Sequence, residues 1–327
     1  MIPAVNSFNE WSRDIAGNRI RQDPQLKNAS LTNPVLEFQL KLNRGVTALA
    51  FSPDNKLLST ANDDYTIQLL DAKTGSAELS LNQPDRAKLS HRFSPDGQRV
   101  FSLSFSPDGK TLAGAGDIIK DDLLIGGQVT LWEIPSGRLL RRIVVNRESA
   151  YYTNSVAFTP DGEGLVVGIA GGSSGSRGEI SEWNAETGDL VRMWKPIHAG
   201  IESVAFSPDG QFLVAGCSDA TIKFLDAKTE ELRRTLQGTM YRIFSLSFSP
   251  DGETLASCVG PNLPGVAGQF EPLLKVHLLD LKSGKNDLMP TGNRSLVTAV
   301  AFSPDGQYLA SADENGTVNT WRISPPQ

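Results

Sequence analysis

The stretch Val297 to Gly306, VTAVAFSPDG, decides the fold, because the chain writes the same pattern six times. Its earlier versions are VTALAFSPDN from Val46, VFSLSFSPDG from Val100, TNSVAFTPDG from Thr153, IESVAFSPDG from Ile201 and IFSLSFSPDG from Ile243. The phenylalanines Phe51, Phe105, Phe158, Phe206, Phe248 and Phe302 fall 54, 53, 48, 42 and 54 residues apart. Each phrase alternates with period two, small Ala or Ser on one face and Val, Leu and Phe on the other, as a strand packed on both sides requires. Ser-Pro-Asp-Gly then suits a type I turn, in which proline presets φ at the second position and glycine relieves the fourth.

Three further strands follow each phrase. Leu57 to Ala61 reads as a second strand, Thr66 to Leu70 as a third, and a Lys-Thr-Gly or Pro-Ser-Gly turn leads to a fourth, as in Arg138 to Val144. The repeat length, on and just above roughly 40 to 45 residues, is that of propeller blades. The last repeat stops after its third strand, and Val35 to Leu42 alternates strictly (Leu36, Phe38, Leu40 and Leu42 against Glu37, Gln39 and Lys41). That segment is expected to supply the missing strand, joining both chain ends in one blade and removing an open edge. The expectation is an all-β, six-bladed propeller over residues 35–327, with seven blades as the alternative. Residues 1–34 are expected to form an N-terminal extension. Within it Ser7 and Glu10 match a capping box, and Phe8, Trp11 and Ile15 share a face of a short amphipathic helix over 8–16. Insertions are expected at Asp117–Gly127, Gly171–Gly178 and Pro261–Leu273. FSPDGQRV from Phe93 reads as a local duplication that lengthens a loop.

The third strands end in Leu70-Asp71, Trp132-Glu133, Trp183-Asn184, Leu225-Asp226, Leu279-Asp280 and Trp321-Arg322. In this they resemble the WD-repeat family, which carries Trp-Asp there, and the resemblance covers residues 35–327. It implies a buried network joining an Asp before the third strand to a His before the first. Asp64 and Asp219 match the Asp, Asn315 approximates it, and only His198 lies near the His, so the network is expected to be mostly missing.

Composition narrows the functions. Hydrophobic residues make up 39% of the 327, yet no run approaches the roughly 18 apolar residues that span a bilayer. The first twenty residues lack the features of a secretory signal. Two cysteines cannot build a disulfide framework, so a reducing compartment, the cytoplasm, is the expectation. A net charge of −6 argues against nucleic acid and anionic membranes as partners. His91, His198 and His277 lie in separate repeats with no metal spacing, and His277 is expected on a sheet surface. Cys217 and Cys258 read as buried, inert thiols on opposite pleat faces. No serine elbow of Gly-x-Ser-x-Gly form occurs, and the repeated Asp is explained by its turn. No enzyme activity, metal or cofactor is expected. Ala185 to Trp194 resembles, once only, the docking repeat of quinoprotein propellers.

In WD-repeat proteins the loops before the first strands surround the channel and receive peptides. Here they contribute Arg44, Arg99, Tyr151, Tyr152, His198, Tyr241, Arg242 and Arg294, with Thr47, Phe101, Asn154, Glu202, Phe244 and Thr298 next inward. Planar cations and aromatics are the residues of interaction hot spots. The same arginines could equally solvate loops. Arg138, Arg141, Arg142, Arg233 and Arg234 on fourth strands read as protection of outer edges. The expected function is a non-catalytic scaffold or peptide-recognition module for other proteins, with acidic or phosphorylated segments as the suited ligands. The alternative is a lactonase-like or quinoprotein-like enzyme or small-ligand sensor using the channel mouth.

Overall fold

A computed structural model of the chain describes residues 34–82, 98–120, 123–146, 151–171, 177–194, 197–237, 241–260 and 274–323. Twenty-four strands fill them. The chain enters on β1 (Val35–Lys41) and builds blade 1 from β2 (Val46–Phe51), β3 (Leu57–Asn62), β4 (Thr66–Asp71) and β5 (Ala77–Asn82). Blade 2 holds β6 (Gln98–Phe105), β7 (Thr111–Lys120), β8 (Leu123–Glu133) and β9 (Leu139–Asn146). Blade 3 holds β10 (Tyr151–Phe158), β11 (Gly164–Gly171), β12 (Arg177–Asn184) and β13 (Leu190–Met193). Blade 4 follows with β14 (Ile201–Phe206), β15 (Phe212–Cys217), β16 (Thr221–Asp226) and β17 (Leu232–Gln237). Blade 5 has β18 (Arg242–Phe248), β19 (Thr254–Gly260), β20 (Lys275–Asp280) and β21 (Asn286–Pro290). Blade 6 has β22 (Val297–Phe302), β23 (Tyr308–Asp313) and β24 (Thr317–Arg322).

Each blade is a four-stranded antiparallel sheet, and the sixth has the order β1-β24-β23-β22. The N-terminal strand therefore closes the ring, with Val35 opposite Arg322 and Lys41 opposite Thr317. Inner strands pack on one another in sequence, β2 on β6, β6 on β10, β10 on β14, β14 on β18, β18 on β22, and β22 back on β2. The fold is a six-bladed, all-β propeller, not a seven-bladed one. One apolar cluster lies at each of the six blade interfaces, as around Trp132 between blades 1 and 2 and Ile201 between blades 3 and 4. The middle strands are buried on both faces, which is why Leu58, Leu112, Leu165, Leu213, Leu255 and Leu309 are all sealed from solvent.

The small residues of the opening phrase are seams as well as spacers. Ser155 Oγ accepts the amide of Val204 at 2.8 Å, Ser203 that of Leu246 at 3.1 Å and Ser245 that of Val300 at 3.3 Å, each in the next blade. Blades 1 and 6 carry Ala48 and Ala299 instead. There Thr47 and Thr298 bridge the seams by donating to the carbonyls of Val100 and Val46, both at 2.6 Å.

At the far end of each inner strand the six turns are nearly identical. The Ser or Thr hydroxyl donates to the turn Asp, as Ser106 to Asp108 at 2.6 Å, and accepts the amide that opens the second strand, as that of Thr111 at 2.9 Å. These hydroxyls hold the carboxyls of Asp54, Asp108 and Asp161 below their ordinary range. The fourth position is left-handed throughout, with φ from 61° at Asn55 to 79° at Gly162. Asn55 replaces the glycine in blade 1, and its side chain accepts the amide of Asp305 at 3.1 Å across the closing seam.

Two sequence expectations change, and the insertion at Asp117–Gly127 takes the form of a lengthened hairpin: β7 and β8 continue through it, paired out to Lys120 opposite Leu123. His277 is buried, 5% exposed, because β20 is a middle-layer strand covered on both faces, and its Nδ1 lies 3.2 Å from Asn286 Nδ2. The carboxylate that caps the last turn before a third strand belongs to Asp313, which accepts the amides of Asn315 and Thr317. The expected helix over 8–16, the duplication at 93–97 and the stretches 172–176 and 261–273 lie outside the described residues.

Candidate functional site

The six inner strands surround a channel of about 400 Å³. Every one of them carries a β-bulge at the same place, between Val46 and Ala48, Val100 and Ser102, Thr153 and Ser155, Ile201 and Ser203, Ile243 and Ser245, and Val297 and Ala299. A bulge leaves one residue out of the ladder and re-aims its side chain. The six residues so released are Thr47, Phe101, Asn154, Glu202, Phe244 and Thr298, and all six line the channel. The opening phrase thus fixes position, while the bulged residue stands outside the ladder, and in blades 1 and 6 it is the threonine that bridges the seam.

One arc of this lining is charged. The Glu202 side chain is 11% exposed, accepts Asn154 Nδ2 at 3.0 Å from blade 3 and meets Arg242 Nη1 at 3.4 Å from blade 5. Burial pushes its carboxyl above the usual carboxylate range, and Arg242 opposes that shift without cancelling it. Phe244 lies over Gly260, where an added Cβ would fall 1.9 Å from its ring.

The expected ring sorts by burial. Arg44, His198 and Arg294 are exposed, and Tyr152 is 49% exposed. Tyr151 and Tyr241 are half-buried: Tyr151 lies against Gly171, and Tyr241 packs on the cluster between blades 4 and 5. Arg242 is turned into the channel wall by Glu202. The backbone of Arg99 pairs with Asp117 in blade 2, and its side chain lies outside the described residues. Arg242, Arg294 and Arg44 stand at or just before the inner strands of blades 5, 6 and 1, which are consecutive around the ring. Tyr152 and His198 belong to blades 3 and 4 on the other side.

Sequence reading missed a buried polar network in blade 6. Asn293 Nδ2 donates to Asp313 at 3.0 Å, while Asn293 Oδ1 accepts Ser311 Oγ and Asn319 Nδ2, both at 3.2 Å. It stands in the blade that joins β1 to β24, where Asn319 also accepts Gln39 of β1 at 2.8 Å. Asn293 before the strand and Asp313 after it were the available signal. The two thiols, Cys217 and Cys258, are buried, and desolvation pushes each up to about 12. Among the described residues no group of three His, Cys, Asp or Glu side chains is placed to hold a metal ion.

The family described as "WD domain, G-beta repeat" matches residues 34–71, 87–122, 189–226, 230–260 and 287–322, together just over half of the chain. Four of these stretches start on the outer strand of one blade and run on into the next, so the sequence repeat is offset from the structural one. A 110-residue stretch is 32% identical to the Target of rapamycin complex subunit wat1 of Schizosaccharomyces pombe, covering 33% of this chain and 31% of that protein. The human U3 small nucleolar RNA-associated protein 4 homolog is 26% identical over 206 residues, 61% of this chain and 27% of that protein. The Arabidopsis thaliana WD repeat-containing protein WDS homolog is 25% identical over 314 residues, 84% of this chain and 55% of that protein. The chain therefore spans between 27% and 55% of these relatives' own lengths.

Proposed function

The chain belongs to the WD-repeat family, and on that premise we propose that it is a non-catalytic scaffold that captures acidic or phosphorylated peptide segments at the bulged end of its channel. The observation that carries this reading is the arc of Arg242, Arg294 and Arg44 over three consecutive blades. Planar guanidinium groups pair with carboxylate or phosphate oxygens through two parallel hydrogen bonds. Arg44 and Arg294 are exposed on a rim whose backbone is fixed by the ring, so a ligand meets a preorganised surface. Support for a scaffold also comes from the family, whose members are generally non-catalytic, and from a relative named as a complex subunit. We further propose the cytoplasm as its compartment, in keeping with two separate buried thiols.

Arg44 and Arg294 replaced together by alanine form the decisive variant, since Arg242 has a second role in the wall. Titrated with a phosphoserine peptide flanked by glutamates, that variant is expected to bind about tenfold more weakly than the parent, which corresponds to roughly 1.4 kcal/mol. Exposed side chains of this kind change stability by no more than about 0.5 kcal/mol, so the thermal transition should stay in place. Equal affinity in parent and variant would remove the mouth as the site.

A further inference from the structure

At the end of the ring that carries the Ser-Pro-Asp or Thr-Pro-Asp sequence each blade turns twice, once between its first two strands and once between its last two. A backbone bond ties the two turns, from the Ala72 amide to the Lys56 carbonyl in blade 1 at 2.8 Å and from the Ala185 amide to the Glu163 carbonyl in blade 3 at 2.9 Å. Lysines stand among the turn carboxylates of blades 1, 2, 4 and 5. Lys56 and Lys110, in the first turns of blades 1 and 2, lie 3.2 Å from Asp54 and 3.7 Å from Asp108. Lys73, Lys228 and Lys282 stand in the second turns of blades 1, 4 and 5, and Lys282 pairs with Glu253 of its own blade's first turn. Blade 3 has Glu163 and Glu186 at these two places. With Asp161 and Asp189, its turns hold acids and no lysine or arginine.

Beside those glutamates, between blades 2 and 3, lies a groove of about 770 Å³. That is within the roughly 300 to 1,000 Å³ of ligand sites. Leu131, Leu140 and Phe158 give it an apolar lining, and Leu140 is 43% exposed. Asp108, Asp161, Glu163 and Glu186 line it against one cation, Arg141, whose Nη1 donates to the Thr187 carbonyl at 2.8 Å. Lys110 answers Asp108, while among the described residues no ion pair holds Asp161, Glu163 or Glu186, all three exposed. The ring supplies its own control. The corresponding groove between blades 4 and 5 is balanced, with Asp209 and Asp251 against Arg233 and Arg234. Turn geometry does not require the glutamates, since blade 1 makes the same bond between its turns with Lys56. What distinguishes the blade 2–3 groove is spare negative charge around an apolar recess.

We propose that this groove docks a basic, extended segment of a partner protein, in which an aliphatic side chain lies between lysines or arginines. The aliphatic group covers Leu131, Leu140 and Phe158, and its removal from water supplies affinity. The flanking cations reach Asp161 and Glu163 on one side and Glu186 on the other. Single exposed ion pairs contribute little, so selection of basic over acidic segments needs the group of carboxylates together. The site lies at the opposite end of the ring from the mouth that Arg44 and Arg294 border.

The test is calorimetric titration of the full chain with the peptide acetyl-Lys-Arg-Leu-Lys-Arg-amide. Saturable binding is expected, weakened about tenfold by Glu163→Lys with Glu186→Lys, a change of roughly 1.4 kcal/mol. Both substitutions install residues that other blades carry at the same places, so the fold is kept. Leu140→Asn should weaken binding about threefold through lost apolar contact. Glu78→Lys with Glu231→Lys alters net charge equally on blades 1 and 4 and should bind as the parent does, as should Arg44→Ala with Arg294→Ala. No saturable binding, equal loss with the Glu78 and Glu231 pair, or equal affinity for acetyl-Asp-Glu-Leu-Asp-Glu-amide would each overturn the proposal. So would tighter binding on Arg19→Ala with Arg21→Ala, which would give the groove to the chain's own N-terminal segment, or dilution-dependent dimers that the peptide disperses.

Discussion

The two ends of the channel are built from the same six inner strands and obey opposite rules. At the turn end, five blades present Gly and one presents Asn in the same left-handed conformation, with the same Ser or Thr to Asp hydrogen bond in all six. At the bulged end, six equivalent positions hold Thr, Phe, Asn, Glu, Phe and Thr. The turn end is uniform because each residue there satisfies its neighbours, so a change in one breaks a local circuit. The bulged end varies because its residues stand outside the ladder. Repetition within the chain marks what holds the ring, and departure from it marks where recognition can be written.

The largest blow to this contrast should fall on the turn end. Gly210 sits at φ +68°, and a Cβ there would lie 3.2 Å from Pro160 Cγ of the preceding blade. Gly210→Val adds left-handed strain and this clash, expected to cost about 2–3 kcal/mol. Denaturant unfolding measures it, and peptide capture at the mouth should be retained. A thermal midpoint equal to the parent's would show the uniform rim to be dispensable.

A smaller effect is expected in the wall of the varied end. Arg242→Ala leaves Glu202 with Asn154 alone, at about 1 kcal/mol once screening of a guanidinium 34% exposed is allowed for. This separates Arg242, partly a structural residue, from Arg44 and Arg294. Identical unfolding curves for all three single alanine variants would erase that separation.

The smallest effect is a pH dependence. Burial raises the Glu202 carboxyl in the folded chain, so the native state keeps that proton through a window above the ordinary carboxylate pKa, where the unfolded chain has lost it. The unfolded state then binds fewer protons, and stability contributed by Glu202 falls as pH rises through the window. Glu202→Gln, which never ionises, should flatten this slope. If parent and variant run parallel across it, Glu202 ionises as it would in water.

Much of the ring was legible in the residues because the turn chemistry is local. Ser, Pro, Asp and Gly dictate their own geometry within four positions, and Val35 to Lys41 carried its alternation openly enough to be placed beside β24. The bulged positions were also legible as places. Their chemistry was not: Glu202 and Arg242 are 40 residues apart, and only the packing of β14 on β18 brings them together. His277 misled because alternation cannot show that a third strand is covered on both faces. Asn293, Asp313 and Asn319 gave no periodic signal, since lone polar side chains carry no such pattern.

The pairing of β1 with β24 also sets a clock. Gln39 and its partner Asn319 are separated by 280 positions, so β1 must wait for β24 before it has its neighbour. At synthesis rates of about 5 to 20 residues per second, that wait is roughly 15 to 60 s. During it Leu36, Phe38 and Leu40 have no sheet to join, and blade 1 has no sixth blade against it. A nascent chain stalled before Thr317 is therefore an open fan with an apolar ribbon at one end and a bare interface at the other, a natural client for chaperones.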